Sequence, residues 1–256
     1  MNRTVTIAIA GKGGVGKTTT AGLLIRYLKE KGLTPVLAVD ADANSNLHEV
    51  LGLAQPAPLS EAREEMKTAA PTGSMTKNTY IDMKVNQALA EENGFDLLAM
   101  GRPEGPGCYC AANHLLSASL EKLLDNYSFM VVDNEAGMEH LSRLVTKRID
   151  HLLVVSDPSR RSLETALRIR DLAKSLPMTI GRTGLVVNRA PEGRLFPGAV
   201  EMLRQAGLEL LGVLPGDDRL AELDAAGKPT STELPDDSPV VRAAFEVFDK
   251  LELKKI

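Results

Sequence analysis

Apolar residues along the chain fall in two alternating patterns. Val5–Ala10, Val36–Val39, Phe95–Met100, Phe129–Val132, Leu152–Val155, Leu185–Val187 and Leu210–Leu214 are nearly continuous runs rich in Val, Leu and Ile, as in strands covered on both faces. Between them, Thr19–Lys31, Leu115–Leu124, Leu163–Leu176, Ala199–Gln205 and Val240–Leu251 repeat their apolar positions every three or four residues, the helical period. Right-handed crossovers between such elements place helices on both faces of a mostly parallel sheet. The pattern therefore predicts an α/β fold, a three-layer doubly wound sheet with ligands at the carboxyl ends of its strands. Segment 55–79 interrupts the alternation with Pro56, Pro58, Pro71 and Gly73 around a short polar helix candidate at Leu59–Lys67. It reads as a surface insertion.

At 256 residues the chain is long enough to bury one large core, so a single domain over residues 1–256 is expected. Hydrophobic residues make up 43% and charged residues 25%, ordinary usage for a soluble globular protein. A formal charge of −4 and a pI near 5.7 give no basic face of the kind that displaces phosphate counterions, so no nucleic-acid partner is expected. The run Val5–Ala10 is broken by glycines too early for a signal peptide, and no other run approaches a membrane span,. No membrane partner is expected, and the cytoplasm is the expected location. Only two cysteines occur, Cys108 and Cys110, too few and too close for a disulfide framework.

Gly11-Lys12-Gly13-Gly14-Val15-Gly16-Lys17-Thr18 fits G-x-x-x-x-G-K-[ST], follows a predicted strand and opens a predicted helix. That is the P-loop in its required context. Its glycines let backbone N–H groups curl around phosphate oxygens at a helix N-terminus, so Gly11, Gly13, Gly14, Val15, Gly16, Lys17, Thr18 and Thr19 are the expected cradle for ATP. Lys17 reaches the β and γ phosphates, and the Thr18 hydroxyl ligates Mg²⁺. Asp133 closes the apolar strand Phe129–Val132 in the arrangement that holds Mg²⁺ directly or through water. Asp40-Ala41-Asp42 places two more carboxylates where a strand leaves the sheet. Glu135, Glu139 and His140 follow Asp133, and a solvated helix start accounts for them as well as chemistry does. Asn188 and Arg189 end another strand, and Pro215-Gly216-Asp217 follows the last; such residues commonly make turns.

Cys108 and Cys110 lie in a loop held irregular by glycines and prolines, Gly101-Arg102-Pro103-Glu104-Gly105-Pro106-Gly107. Residues i and i+2 of an extended chain face the same side, so both sulfurs can approach one ion. A tetrahedral site wants four ligands, and a two-fold dimer, which repeats each residue about its axis, supplies the missing pair. A reduced buried pair, a redox-active disulfide and an iron–sulfur cluster remain open for the same residues. Thiolates accept Zn²⁺, Ni²⁺ or Cu⁺ alike, so ligand type does not choose the metal. His114, four residues on from Cys110, can join such a site but is better placed to cap or flank the following helix.

With Lys12 inside the phosphate loop, K-G-G-V-G-K-T resembles the deviant Walker A motif shared by septum-site, plasmid-partition, arsenite-pump and nitrogenase iron-protein ATPases. The resemblance implies that Lys12 reaches across a homodimer to the partner's nucleotide and that Asp42 positions the attacking water and meets the Mg²⁺ shell. It also implies that Asp40 holds the loop or a metal-bound water, that Asn188, next to Arg189, hydrogen-bonds adenine, and that Pro215 to Asp217 cover the base. Together with G-R-P-E-G-P-G-C-Y-C-A-A-N-H and D-N-E-A-G-M-E-H-L, the chain resembles the nickel-insertion ATPases of carbon monoxide dehydrogenase, a family with a relative serving acetyl-CoA synthase. This implies an ATP-hydrolysing metallochaperone that dimerises with nucleotide, carries Ni²⁺ or Zn²⁺ on Cys108 and Cys110, and loads the apo-enzyme. Two other classes share parts of the pattern. An iron–sulfur ATPase of the nitrogenase type keeps its cysteines apart, one of them where this chain has Asn134. A positioning ATPase acting on membrane or DNA would, in its membrane form, use a C-terminal amphipathic helix such as Val240–Leu251.

Overall fold

The computed structural model describes residues 3–42, 44–61, 65, 76–101, 110–135 and 148–255. In chain order its elements are β1 (Val5–Gly11), α1 (Lys17–Glu30), β2 (Val36–Ala41), α2 (Leu47–Leu51), α3 (Lys77–Gln87), β3 (Leu89–Glu92), β4 (Phe95–Ala99), α4 (Cys110–Leu124) and β5 (Phe129–Asn134). There follow β6 (Arg148–Ser156), α5 (Arg160–Ser175), β7 (Thr179–Ala190), α6 (Pro197–Ala206), β8 (Glu209–Pro215), α7 (Asp218–Ala225), α8 (Thr230–Glu233) and α9 (Pro239–Asp249). The eight strands form one sheet in the order β3-β4-β2-β5-β1-β6-β7-β8. All pairings are parallel except β3 with β4. This is the three-layer doubly wound arrangement that the alternating pattern predicts.

Side chains alternate between two cores, one on each face of the sheet. On one face Leu37, Val39, Met130, Val132, Leu152 and Val154 pack with Leu116 and Leu120 of α4 and Leu163 and Ala166 of α5. On the other, Ile7, Ile9, Ala38, Phe129 and Val131 pack with Leu24 and Leu28 of α1 and Val247 and Phe248 of α9. β1 lies between β5 and β6, so α1 and the loop before it leave the sheet at its centre. The residues on both of its flanks then converge on that loop.

Three features depart from the sequence expectations. Strands run past their last apolar residue, with β2 continuing to Ala41 and β5 to Asn134, so that Asp40 and Asp133 are buried inside strands rather than in loops. An unexpected antiparallel edge strand, β3, joins β4 through Asn93-Gly94, with Gly94 at φ 89°; this dipeptide is itself a hairpin signal. The surface insertion expected over 55–79 is corrected at both described ends. Leu59 is 1% exposed within the core, Ser60 N–H donates to the Met100 carbonyl at 3.1 Å, and α3 begins at Lys77 behind an N-cap in which Thr76 accepts from Thr79 N–H. Of the helix candidate at Leu59–Lys67, residues 62–64, 66 and 67 lie outside the described set.

The C-terminal helix α9 spends its apolar face on the core, with Val240, Val241, Ala244, Val247 and Phe248 all buried. Tyr27 of α1 meets Phe245 and Phe248 edge-on, with ring centroids at 5.2 and 5.5 Å. Among the described residues no helix is long and apolar enough to cross a membrane. Because Phe248 is fully buried, Phe248→Ala is expected to cost about 3–5 kcal/mol in urea unfolding followed by circular dichroism. A loss under about 1 kcal/mol would mean that α9 does not close this core.

Candidate functional site

The phosphate loop is shaped by close approaches that leave room only for glycine. Gly11 is in register with Val155 of β6, and a Cβ at Gly11 would lie 2.4 Å from the Val155 carbonyl oxygen. Gly14 and Gly16 have φ of 79° and 92°, a left-handed backbone costing other L-residues about 1–2 kcal/mol. Gly16 caps α1 without any side-chain bond, and the first turn of α1 holds no acidic residue. The helix therefore offers its open N–H groups and positive dipole end to an anion. Lys17 is 8% exposed, and its Nζ lies 3.4 Å from the Lys12 carbonyl, a long contact that a phosphate oxygen can replace. Lys12 is exposed. Thr18 and Thr19 occupy the first turn of α1.

Asp40 of β2 and Asp133 of β5 lie side by side in register, each 1% exposed. Their surroundings separate their roles. Asp40 has both oxygens spent on backbone N–H groups, Oδ1 on Asp42 at 3.1 Å and Oδ2 on Leu47 at 2.9 Å. It therefore pins the loop between β2 and α2. Asp133 bonds the Thr18 hydroxyl, and burial pushes its pKa up to about 7, with Asp40 and Asp42 adding to the rise and Thr18 and Lys17 opposing it. Its Oδ1 is buried without a hydrogen-bond partner. An orphaned carboxylate oxygen is costly in a dry site, and a divalent cation held by Asp133 and Thr18 would remove that cost. The residues present thus fit Mg²⁺. Asp42 is half-buried, its Oδ1 accepting from Asn44 N–H at 2.9 Å.

The strand-end pair Asn188–Arg189 reaches the same loop. Asn188 is 7% exposed; its Nδ2 donates to the Val15 carbonyl at 2.9 Å and its Oδ1 accepts from Arg189 N–H. Arg189, at φ 56°, donates from Nη1 to the Gly14 carbonyl at 3.1 Å. Side chains expected only to meet a base are found clamping the phosphate loop from β7, a contact for which the sequence carries no local signal. Pro215 ends β8. Asp217 caps α7 through Arg219 and Leu220 N–H, while its second oxygen accepts from the Ser238 hydroxyl and Val240 N–H. Both oxygens are committed, so contact with a base at this position would come from backbone.

Cys108 lies outside the described residues, as do Glu139 and His140. Cys110 is the first residue of α4. The path into the cysteine segment is described up to its start: Met100 N–H donates to the Asp40 carbonyl at 2.8 Å, and Gly101 follows at φ 73°. Among the described residues no three His, Cys, Asp or Glu side chains gather as a metal cluster. The sequence reading assigns Asn134 no part in the site beyond standing where the iron–sulfur type has a cysteine. Asn134 is 1% exposed, donates from Nδ2 to the Ile9 carbonyl at 2.8 Å and leaves Oδ1 buried without a partner, fastening β5 to β1 beside Asp133.

Comparison with known proteins shows a nucleotide-binding family. The family model described as the CobQ/CobB/MinD/ParA nucleotide binding domain matches residues 6–230. An uncharacterized ATP-binding protein of Methanocaldococcus jannaschii is 40% identical over 97% of this chain and 99% of its own length. The carbon monoxide dehydrogenase accessory protein CooC of Rhodospirillum rubrum is 34% identical, covering 82% of this chain and 90% of its own. Among solved structures, the MinD cell division protein of Aquifex aeolicus superposes with a TM-score of 0.70 at 23% identity over 98% of both chains. A ParA family ATPase from Chlorobium tepidum gives 0.71 at 18% identity over 99% of both.

Two outcomes follow from the geometry. Gly16→Ala must force a methyl group to within 2.3 Å of Asn188 Nδ2 from a left-handed backbone, so ATP binding measured by calorimetry should weaken at least about tenfold; unchanged affinity would contradict the clamp. Because the Asp133 pKa is raised to about 7, metal-free folded protein holds a proton that the unfolded chain releases near pH 4. The group's contribution to stability therefore falls as pH rises from about 4 to 7 and is flat above. Binding Mg²⁺-ADP at pH 6.5 should expel most of that proton, read as buffer-dependent heat, and Asp133→Asn should lose this component.

Proposed function

We propose that this chain, which belongs to the CobQ/CobB/MinD/ParA nucleotide-binding family, is an ATP-hydrolysing metallochaperone. In this reading one ATPase domain over residues 1–256 dimerises with nucleotide and metal, and delivers nickel to apo carbon monoxide dehydrogenase or acetyl-CoA synthase. The observation that carries it is the hydrogen bond from Met100 to the Asp40 carbonyl. It ties the start of the segment bearing Cys108 and Cys110 to the strand whose carboxylate pins the loop containing Asp42. The likeness to the carbon monoxide dehydrogenase accessory protein over 82% of the chain supports the choice of client.

The chemistry is attack of water on the γ-phosphorus of ATP, giving ADP and phosphate. Such a transfer leaves the protein mainly positioning and charge stabilisation to perform. Backbone N–H groups from Gly13 to Thr19 orient the phosphates, and Lys17 exchanges the Lys12 carbonyl for phosphate oxygens. Asp42 orients the attacking water. Thr18 and Asp133 would hold Mg²⁺, which would supply charge neutralisation. Lys12, exposed on the loop, reaches the nucleotide of a second copy, and Asn188 with the 215–217 turn faces the base.

ATP binding then favours the closed dimer, and loss of the γ-phosphate withdraws the contacts that favour it. A nickel ion held by Cys108 and Cys110 of both chains loses half its ligands on opening, and hydrolysis becomes release. The other readings lose specific parts. Asn134 stands where the iron–sulfur type needs a cysteine, and α9, which the membrane-positioning type would leave free, is buried on the core.

Anaerobic protein with Mg²⁺ and a non-hydrolysable ATP analogue is expected to bind about one Ni²⁺ per two chains, four thiolates filling one tetrahedral site. Replacing both Cys108 and Cys110 by Ser should abolish that nickel, read by metal analysis, while ATP binding is retained. Unchanged nickel stoichiometry in the double variant would sink the bridge.

A further inference from the structure

The last two residues of β5 face opposite sides of the sheet. Side chains alternate along a strand: Phe129 and Val131 lie in the core beneath α1 and α9, and Met130 and Val132 in the core beneath α4 and α5. Asp133 continues the first series and meets the Thr18 hydroxyl of α1. Asn134 continues the second, on the side of α4. It is 1% exposed, and only its nitrogen is engaged: Nδ2 donates to the Ile9 carbonyl at 2.8 Å, while Oδ1 is buried without a partner. Exchanging the two amide atoms would set an oxygen against the Ile9 carbonyl, so the unpartnered atom is the acceptor. A carbonyl oxygen stripped of water and given no donor is costly. It calls for an N–H on that face.

The start of α4 brings N–H groups to the same level. Leu116 and Leu120 pack in the core with Met130 and Val132, so α4 covers this part of the sheet. Its last residue is level with the strand starts, because the Thr4 hydroxyl donates to the Leu124 carbonyl at 2.7 Å and Val5 is in register with Phe129. Over its 15 residues α4 climbs back roughly 21 Å, at about 1.5 Å per residue. From the level of Thr4, β5 with its 6 residues reaches Asn134 after roughly 20 Å, at about 3.3 Å per residue. The helix start at Cys110 and the side chain of Asn134 therefore stand at one height on one face. The first four N–H groups of a helix have no partner within it, and the first turn of α4 carries no acidic residue to meet them.

We propose that Asn134 is a positioning residue: its Oδ1 accepts a first-turn N–H of α4 when Mg²⁺ and ATP occupy the Asp133 side of the same strand end, and so sets the Cys110 end of α4 by the state of the nucleotide site. The inference rests on the metallochaperone reading above and assigns it a link. Asp133 and Asn134 share a peptide unit, so a shift of the strand end that takes Asp133 Oδ1 to a cation carries Asn134 with it on the opposite face. This link is separate from the bond between Met100 and the Asp40 carbonyl. That bond holds the entry to the cysteine segment from β2, and Asn134 holds its exit from β5.

The test compares the full anaerobic chain, its asparagines labelled with carbon-13, in Mg²⁺-ADP and in Mg²⁺ with a non-hydrolysable ATP analogue. The side-chain carbonyl carbon of Asn134, assigned through its own Cβ, is expected to move downfield with the analogue as it accepts a hydrogen bond. The first-turn amides of α4 should exchange with solvent at least about tenfold more slowly. An asparagine that only fastens β5 to β1 would show neither change. Nickel affinity is then measured in both nucleotide states. The wild type should bind nickel at least about tenfold more tightly with the analogue, and Asn134→Leu, which keeps the volume and lacks the acceptor, should bring that ratio below about twofold. A fixed carbonyl signal while wild-type nickel affinity follows the nucleotide, or a tenfold ratio kept in Asn134→Leu, would overturn the Asn134 link and leave the metallochaperone reading standing. Wild-type nickel affinity indifferent to the nucleotide would overturn both. The carbonyl measurement uses the wild type alone, so it decides the matter even if Asn134→Leu does not fold.

Discussion

A carboxylate sealed in a strand end with one oxygen unpaired is the constraint on which the rest of this structure turns. Asp133 sits at 1% exposure between a second buried carboxylate, Asp40, and the first turn of α1. Leaving a charge there without a cation is unfavourable, and burial accordingly pushes its pKa up to about 7. A metal-free chain can relieve the cost only by taking up a proton, and nucleotide with Mg²⁺ relieves it by supplying the cation. Proton and cation thus compete for Asp133, and linkage requires that nucleotide with Mg²⁺ bind more tightly as pH rises towards 7.

Everything around that carboxylate is held to close tolerance. Gly11 lets β1 pass against β6, and Asn188 and Arg189 clamp the loop from β7 through the Val15 and Gly14 carbonyls. Asn134 ties β5 to β1, and Asp40 fixes the turn into α2 while its carbonyl accepts the Met100 N–H at the exit of β4. The site thus draws on β1, β2, β4, β5 and β7 at once. Its rigidity comes from the sheet and its reach from the loops leaving it.

Much of this was legible in the sequence, for a physical reason in each case. Buried parallel strands must be apolar on both faces, so Val5–Ala10 and Phe129–Val132 announced themselves. The phosphate loop needs glycine where the backbone is left-handed, and Gly14 and Gly16 confirm it. Strand ends were less legible, because Asp40 and Asp133 are polar residues buried for the sake of the site, against the pattern. β3 was missed despite Asn93-Gly94, since Leu89–Glu92 lies at the edge and its polar side carries no apolar run. Segment 55–61 looked like a surface excursion from its prolines, yet Leu59 is drawn into the core by contacts far away in sequence. The clamp made by Asn188 depends on tertiary approach of β7 to the loop, which spacing alone does not encode.

The central claim is that the nucleotide end and the cysteine segment form one device, joined where β4 leaves the sheet beside Asp40. The most direct measurement is the affinity of the anaerobic protein for Ni²⁺ in the presence of Mg²⁺ with a non-hydrolysable ATP analogue, compared with Mg²⁺ and ADP. The account predicts nickel held at least about tenfold more tightly with the ATP analogue, a coupling of about 1.4 kcal/mol. Equal nickel affinity in the two nucleotide states would contradict it.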